Sequence, residues 1–285
     1  MQGSSRAALE AASARLDALL TDAASSAPSA TSTLSATTAS TAETAGQHFW
    51  ALTDALDATP ALRRSLTDPS LPTEVKQALA AQISAHAEQT VTTVFTEMAG
   101  ARWSADADLP DATEHLGIEA LLDGADARGA LPDVEAEVFG IVRALQGQGA
   151  ARDALSDAKA NPEARAALIS TLLDGKADPA TEALATRVAR TPRGQRFIPA
   201  LLAIAGTIAD RRKVLTAQVI SAIDLTDAQK ARLESLFTQH YGQPVQAYVT
   251  VDPTVVGGLR VQVGSDVIDT TVLTRIADAR RAMAA

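Results

Sequence analysis

The chain has 285 residues, 46% hydrophobic and 21% charged, which is enough for two or three soluble globular domains with apolar cores. Its formal net charge of -9 argues against a protein that binds nucleic acid, because such a protein needs a basic face to neutralise phosphates. The absence of cysteine excludes disulfides, thiolate nucleophiles and zinc sites with cysteine ligands.

The first segment predicts an amphipathic helix, because four leucines recur on one side: Leu9, Leu16, Leu19 and Leu20. It lacks a continuous apolar stretch before a small-residue cleavage site, so we do not interpret it as a secretory signal. Residues 23–42 carry no charge and could span a bilayer by length, but Ser and Thr dominate them. We therefore interpret residues 24–45 as a Ser/Thr-rich linker or frayed helix, and we expect no direct insertion into a membrane.

Helical spacing of apolar residues returns from about residue 46, and Pro60 predicts a break between two helices. Asp68 and Pro69 predict a turn. Thr73 predicts the start of the next helix, with its hydroxyl accepting a hydrogen bond from a free backbone N–H. The apolar side chains that define the first two of these helices are Phe49, Leu52, Leu56, Leu62 and Leu66.

One segment of the chain has a second copy. LTDPSLPTEVKQALAAQI, beginning at Leu66, aligns without gaps on LSDAKANPEARAALISTL, beginning at Leu155. Five positions are identical and three are conservative replacements, including Lys76 by Arg165. The separation of the copies is too long for a solenoid repeat, so we interpret them as parts of a duplicated helical module.

In the C-terminal part the apolar period changes from helical to alternating. The segments VLTAQVISAIDL, PVQAYVTV and LRVQVG predict three strands. Between the first two, Thr226 and Gln229 form a capping-box pattern at the start of a helix, and Gly242 is a suitable C-terminal stop. Thr271 begins a predicted last helix, which gives the order strand, helix, strand, strand, helix.

The predicted fold class is therefore mainly α with a small C-terminal α/β domain. We expect a first helical bundle at 1–125, a second helical bundle at 126–213, and the α/β domain at 214–285.

The sequence lacks the common catalytic and metal-binding motifs. No Gly-x-Ser-x-Gly nucleophile elbow occurs, and no pair of histidines has the spacing of a zinc motif. The acidic runs at 106–111 and 123–129 fail the ligand pattern of a calcium loop and are typical of solvated helix ends. The four histidines, which we interpret as surface or helix-cap residues, are His48, His86, His115 and His240.

Two loops are candidate anion sites. The Arg-rich run at 190–196 precedes a helix and could hold an anion there, but an interhelical turn is the favoured interpretation. Gly257 and Gly258 precede a strand and not a helix, so they do not form a phosphate cradle. Their predicted role is conformational, because glycine accepts positive φ in bends and bulges. We predict no cofactor.

The C-terminal part contains a string of residues whose type and spacing agree across strand, turn and strand: Asp252, Pro253, Val256, Gly257, Gly258, Val261, Val263, Gly264, Val267, Ile268 and Asp269. This string resembles a known family, the delta subunit of bacterial F-type ATP synthase, counterpart of the mitochondrial oligomycin-sensitivity-conferring protein. The family often has a small residue where Thr270 stands, so we expect a different last turn. The duplicated bundle resembles the long delta subunits of high-GC actinobacteria.

The resemblance implies a non-catalytic peripheral-stalk subunit, which keeps the catalytic head from turning with its central shaft. It implies that a helical bundle binds N-terminal segments of the alpha subunits and that the C-terminal domain binds the C-terminal tip of the b-subunit stalk, with the beta subunit in the same head. It also implies a peripheral protein on the cytoplasmic face of the bacterial plasma membrane.

For the partner-binding face we propose the apolar side of the helix that contains Phe197, Leu201, Ile204 and Ile208, because this helix is apolar over more than one side. The alternative is that these four side chains fill the bundle core. Two other functions stay open from the sequence: a helical adaptor of another complex, and an enzyme whose site is built from scattered polar residues.

Overall fold

The computed structural model describes residues 1, 3–25, 31–157, 159–212, 215–253, 255, 258–263 and 266–269. Over these residues the chain forms twelve helices and four strands, so it is mainly α with a small α/β part, as predicted. The helices are α1 (Ser4–Ser25), α2 (Thr31–Ala58), α3 (Pro60–Thr67), α4 (Thr73–Ile83), α5 (Gln89–Gly100), α6 (Asp108–Ala127), α7 (Leu131–Ala144), α8 (Gly149–Ser156), α9 (Pro162–Leu173), α10 (Pro179–Arg190), α11 (Phe197–Arg212) and α12 (Asp227–Tyr241). The strands are β1 (Leu215–Ser221), β2 (Val245–Val251), β3 (Leu259–Val263) and β4 (Asp266–Asp269).

The chain divides into two compact units. The first unit comprises Met1–Val134 and Leu173–Leu184, and the second unit comprises Glu135–Leu172 and Ala185–Ala285. The predicted three-part division, with boundaries after residues 125 and 213, does not coincide with these two units and stays a prediction.

Part of the predicted Ser/Thr-rich linker is helical. Residues 31–45 belong to α2, which continues without a break to Ala58. Ala39, Ala42 and Ala45 are buried on this helix. Alanine has the strongest helix propensity, and its small side chain lets a second helix approach closely. Of the two interpretations that the sequence left open, a linker or a frayed helix, the structure favours a helix for residues 31–45.

The close pairing of α2 with α6 depends on glycine. A Cβ atom added at Gly46 would lie 2.9 Å from the carbonyl oxygen of Gly117 and 2.1 Å from the Cδ1 of Leu121. Further along the pair, the hydroxyls of Thr53 and Thr113 are 2.8 Å apart. Because the backbones meet at Gly46, this crossing has no room for a larger residue.

The first unit buries the apolar side chains that helical spacing predicted. Leu9, Leu19 and Leu62 are partly buried and pack against its core cluster. The predicted side chains that lie within the cluster itself are Leu16, Leu20, Phe49, Leu52, Leu56 and Leu66.

The structure confirms the helix break predicted at Pro60 but not the side-chain cap predicted at Thr73. Pro60 is the first residue of α3, where its missing N–H costs no helical hydrogen bond. At α4 the N-cap position is Pro72, and no side chain caps the helix. Thr73 lies one residue inside the helix, so the prediction that its hydroxyl caps α4 is wrong.

The two matched segments have the same local structure. Leu66 lies near the end of α3 and Leu155 near the end of α8, and both are buried. Asp68 and Asp157 follow these helices, and each carboxylate accepts from the backbone amide two residues on, at 2.8 and 2.9 Å. The duplication predicted from the sequence is thus visible in the helix ends and in the turns after them.

The matched cations Lys76 and Arg165 are both buried, near the starts of α4 and α9. The guanidinium of Arg165 donates to the carbonyl oxygens of Ala189 at 2.7 Å, Arg190 at 3.0 Å and Asp157. Carbonyl oxygens at the end of a helix attract a cation, which explains how this charge is accommodated inside the second unit.

The second unit contains a four-stranded sheet in the order β2-β1-β3-β4. Strands β1 and β2 are parallel and are joined by α12, while β3 is antiparallel to both β1 and β4. One face packs against α12 through Leu233 and Phe237. The alternation that predicted three strands is confirmed by the buried residues on this face: Ala217, Val219, Val245, Ala247, Val261 and Val263.

Strand β4 was not predicted. It has only four residues, and Val267 and Ile268 are both exposed, so it lacks the alternating apolar pattern of a half-buried strand. The predicted last helix from Thr271 lies outside the described residues.

The predicted ends of α12 are confirmed. The backbone N–H of Gln229 donates to the hydroxyl of Thr226, and the backbone N–H of Thr226 donates to the side chain of Gln229 at 2.9 Å. Gly242 ends the helix at a φ of 72°, in the left-handed region that glycine adopts without strain.

Candidate functional site

The predicted partner-binding face lies in the core of the second unit. Phe197, Leu201, Ile204 and Ile208 on α11 are all buried, with at most 4% of any of them exposed. Their side chains are therefore not available to a partner. The structure favours the alternative that the sequence left open, in which these residues fill the core.

The family-signature residues Asp252 and Pro253 form a turn after β2. The backbone N–H of Asp252 donates to the carbonyl oxygen of Ser221, and that of Val255 donates to the carbonyl oxygen of Asp252 at 3.1 Å. Proline suits the second position of such a turn because its φ is already fixed. The Asp252 amide thus ties the turn after β2 to the end of β1.

Gly258 has a φ of 84°, which lies in the left-handed region. This agrees with the conformational role predicted for it, and it precedes β3 directly. Gly257, Gly264 and the side chain of Asp269 lie outside the described residues. Of the signature, the structure therefore supports a backbone role at Asp252, Pro253 and Gly258.

A buried polar cluster, which sequence reasoning missed, lies on the other face of the sheet. Glu135 of α7 is completely buried and forms an ion pair with Arg212, the last residue of α11. Glu135 also accepts from the hydroxyl of Thr216 at 3.0 Å, and Arg212 donates to the side-chain oxygen of Gln246 at 3.0 Å. We call these four residues the Glu135 cluster. No local pattern marks it, because its members come from four separate elements.

A second ionic group lies in the first unit. Arg128 donates to both carboxylate oxygens of Asp178, at 2.7 and 3.0 Å, and forms an ion pair with Glu43. Burial raises the pKa of Asp178, but the Arg128 guanidinium and the N–H of Ala180 outweigh it and hold this pKa below its ordinary value. The group holds the start of α10 within the first unit and is structural.

The histidines have no shared site among the described residues. His48 accepts from the backbone N–H of Glu88 at 3.1 Å, just before α5, but no side chain caps the first turn of α5. His115 pairs with Glu119 one turn along α6. Within the described ranges, no three His, Asp or Glu residues are grouped so that they could hold a metal ion.

Large apolar side chains also lie on the surface. Leu168 and Leu172, one turn apart on α9, are 40% and 46% exposed.

Over the part of the chain that the structure describes, no helix has an apolar stretch long enough to cross a membrane.

Comparison with known proteins finds relatives that share one name. The family model of the ATP synthase delta (OSCP) subunit matches residues 119–283. ATP synthase subunit delta of Beutenbergia cavernae is 41% identical to the chain over 286 residues and covers 100% of both proteins. The protein of the same name from Streptomyces avermitilis is 39% identical, covering 99% of this chain and 98% of its own. The one from Kineococcus radiotolerans is 42% identical and covers 84% of this chain and 87% of its own.

Both the family model and the full-length similarity to the Beutenbergia cavernae protein include the β2-to-β3 connection, where the signature residues lie. The chain therefore belongs to the ATP synthase delta (OSCP) subunit family.

Proposed function

We propose that the protein ties the catalytic alpha/beta head of ATP synthase to the membrane sector through the stalk of b subunits, so that the head resists rotation. The observation that carries this proposal is the full-length similarity to ATP synthase subunit delta of Beutenbergia cavernae. The protein is a structural subunit and is not itself catalytic. Its contribution is mechanical, because a rotary motor works only if the head is held while the shaft turns.

For the individual partners, we propose that the helical bundles receive N-terminal segments of the alpha subunits and that the C-terminal α/β part receives the tip of the b stalk. An amphipathic helix can lie in an apolar groove of a helical bundle, where anchors at helical spacing fix its register. The formal net charge of -9 favours approach of basic partner segments. The proposed location is the cytoplasmic face of the plasma membrane, where the b stalk holds the protein.

The proposal is tested by placing an affinity tag on the full chain, solubilising membranes and identifying the proteins that are recovered with the tagged chain. We expect the alpha, beta and b subunits to be recovered together after mild solubilisation. Consistent recovery of an unrelated complex instead would support the alternative, a helical adaptor of another assembly, and would contradict the proposal. Material from cells with the untagged chain is the control for non-specific binding.

Replacing Gly258 with valine tests the backbone role of the signature. A β-branched residue at a φ of 84° is strained by about 1–3 kcal/mol, so we expect the sheet to lose stability and the b stalk to be recovered less. Chemical denaturation and the same pull-down measure the two effects.

The matched control is Gly258→Asn, since asparagine tolerates the left-handed region far better than valine does. We expect it to retain more stability and more b subunit than Gly258→Val. Equal behaviour of both variants and the unmutated chain would show that this bend does not need glycine.

A further inference from the structure

Strand β2 lies at one edge of the sheet, because β1 is its only neighbour among the described strands. The outer side of an edge strand carries backbone groups that can pair with a strand of another chain, so folded proteins cover or charge such edges. Beside β2, side chains of α12, the helix that precedes this strand, provide the cover.

The ladder between β1 and β2 shows which backbone groups of β2 face outward. The N–H of Leu215 donates to the carbonyl oxygen of Pro244 at 2.8 Å. At the other end, the N–H of Asp252 donates to the carbonyl oxygen of Ser221 at 2.8 Å. Alternate residues of a strand direct their backbone groups to opposite sides, so the even-numbered residues from Pro244 to Asp252 face β1. The residues whose backbone groups face outward are Val245, Ala247, Val249 and Val251.

Two of the outward amides donate to side chains of α12. The N–H of Val245 donates to the hydroxyl of Thr238 at 3.1 Å, and the N–H of Ala247 donates to the carboxylate of Glu234 at 2.8 Å. Glu234 and Thr238 are themselves half-buried. An amide that is bonded in this way is not available to a strand of another chain.

The fit between helix and strand follows from their periods. Thr238 lies opposite Val245 and Glu234 lies opposite Ala247, so α12 and β2 run in opposite directions. Four helical residues rise about 6 Å and two strand residues rise about 6.6 Å. Acceptors one turn apart on the helix therefore reach amides two residues apart on the strand.

Lys230 continues this row of side chains, one turn before Glu234. Its ammonium lies 5.9 Å from the centre of the Tyr248 ring on β2. Lysine has no acceptor atom, so it cannot bond an amide of the strand, but a charge beside an edge opposes the approach of another strand. The row thus bonds the first half of β2 and places a charge beside its middle.

We infer that Glu234 and Thr238 close the edge of β2 to a second copy of the chain, so that free copies do not associate through their sheets. The strand needs such closure because its sequence, VQAYVTV, has no charge, no proline and no glycine. Short segments of this composition are typical of strands that pair between chains. Closure of this edge is a property of the free chain and does not rest on the proposed function.

The test removes both acceptors by combining Glu234→Ala with Thr238→Ala. Alanine adds no large apolar side chain, so any new association comes from the opened edge. The matched control combines Glu234→Gln with Thr238→Ser, which keeps an acceptor oxygen at each position. Far-UV circular dichroism establishes that both double variants fold.

Sedimentation velocity over a range of concentrations measures self-association. We expect the alanine variant to form dimers with a dissociation constant at least about tenfold lower than that of the unmutated chain, because two amides of each copy gain a strand partner. The Gln/Ser control should sediment like the unmutated chain. A monomeric alanine variant, or equal association of the control, would overturn the inference.

Hydrogen exchange of the Val245 and Ala247 amides provides a direct readout. In dilute alanine variant we expect both amides to exchange about tenfold faster than in the unmutated chain. At high concentration their protection should return, because the second copy supplies new acceptors. A loss of stability alone would not depend on concentration in this way, so protection that does not return would contradict the inference.

Cross-linking locates the contact between copies. The chain has no cysteine, so Val251→Cys at the end of β2 and Leu168→Cys on α9 can be cross-linked specifically in the alanine variant. The two side chains are similarly exposed, at 42% and 40%. We expect cross-linked dimers with Val251→Cys. Dimers that form only with Leu168→Cys would place the association on the exposed leucines of α9 and overturn the inference.

If the double alanine variant does not fold, the unmutated chain and the single variant Thr238→Ala decide. In the unmutated chain, the Val245 and Ala247 amides should be protected although they face away from β1. Thr238→Ala should expose the Val245 amide and leave that of Ala247 protected. Exchange of both amides in the unmutated chain at the rate of an unfolded peptide would overturn the inference.

Discussion

Leu201→Asp is expected to unfold the second unit. Leu201 is completely buried on α11, so the substitution places a carboxylate among apolar side chains and removes a core contact. A charge in such a site is not compensated by any partner, and we expect a loss of more than about 4 kcal/mol in the free energy of unfolding. Urea denaturation followed by far-UV circular dichroism measures it.

The matched control is Leu168→Asp, the same substitution at a leucine that is 40% exposed. Because the new carboxylate reaches water there, we expect a change of less than about 1 kcal/mol. If Leu201→Asp folded like the unmutated chain and only partner binding were lost, Leu201 would belong to a partner-binding face and the core interpretation would be wrong.

Gly46→Val is expected to destabilise the first unit by about 3 kcal/mol, because the added atoms overpack the crossing of α2 with α6. The nearest obstacle on the backbone is the carbonyl oxygen of Gly117, only 2.9 Å from an added Cβ, and it can move only if a helix moves. Both tryptophans of the chain, Trp50 and Trp103, lie in this unit. Their fluorescence during chemical denaturation therefore reports its stability separately.

The control for this change is Gly140→Ala in α7, where an added Cβ meets no atom within 4 Å. Gly140 lies in the second unit, so far-UV circular dichroism follows its effect on stability. Alanine favours a helix interior by about 1 kcal/mol over glycine, so we expect a small gain in stability. A Gly46→Val variant with unchanged stability would show that α2 and α6 can separate without cost. Replacing glycine is thus expected to lower stability at Gly46 and to raise it at Gly140.

The features predicted correctly depend on neighbours along the chain. The capping box of Thr226 and Gln229 places two hydrogen bonds within four residues, and the alternation in β1, β2 and β3 follows from half-buried strands. The left-handed conformation at Gly258 is likewise a property of one residue and its turn. The resemblance to the family rests on the same local elements, which is why the sequence alone shows it.

Other features could not be predicted because they depend on residues far apart in sequence. Residues 31–45 carry few large apolar groups, and their helix is explained by a close partner, α6. The exposed strand β4 has no pattern of its own and exists through pairing with β3. In both cases the stabilising contact lies outside the segment.

By itself the sequence determined the fold class, the helix-end and strand signals, the duplicated segment and the family. The tertiary structure alone decided that Phe197, Leu201, Ile204 and Ile208 point into a core, and that Glu135 has a counterion in Arg212. An apolar stripe looks the same whether it faces the chain's own core or a partner. A buried charge can be recognised only when the residue that neutralises it, here 77 positions away, is brought to it by folding.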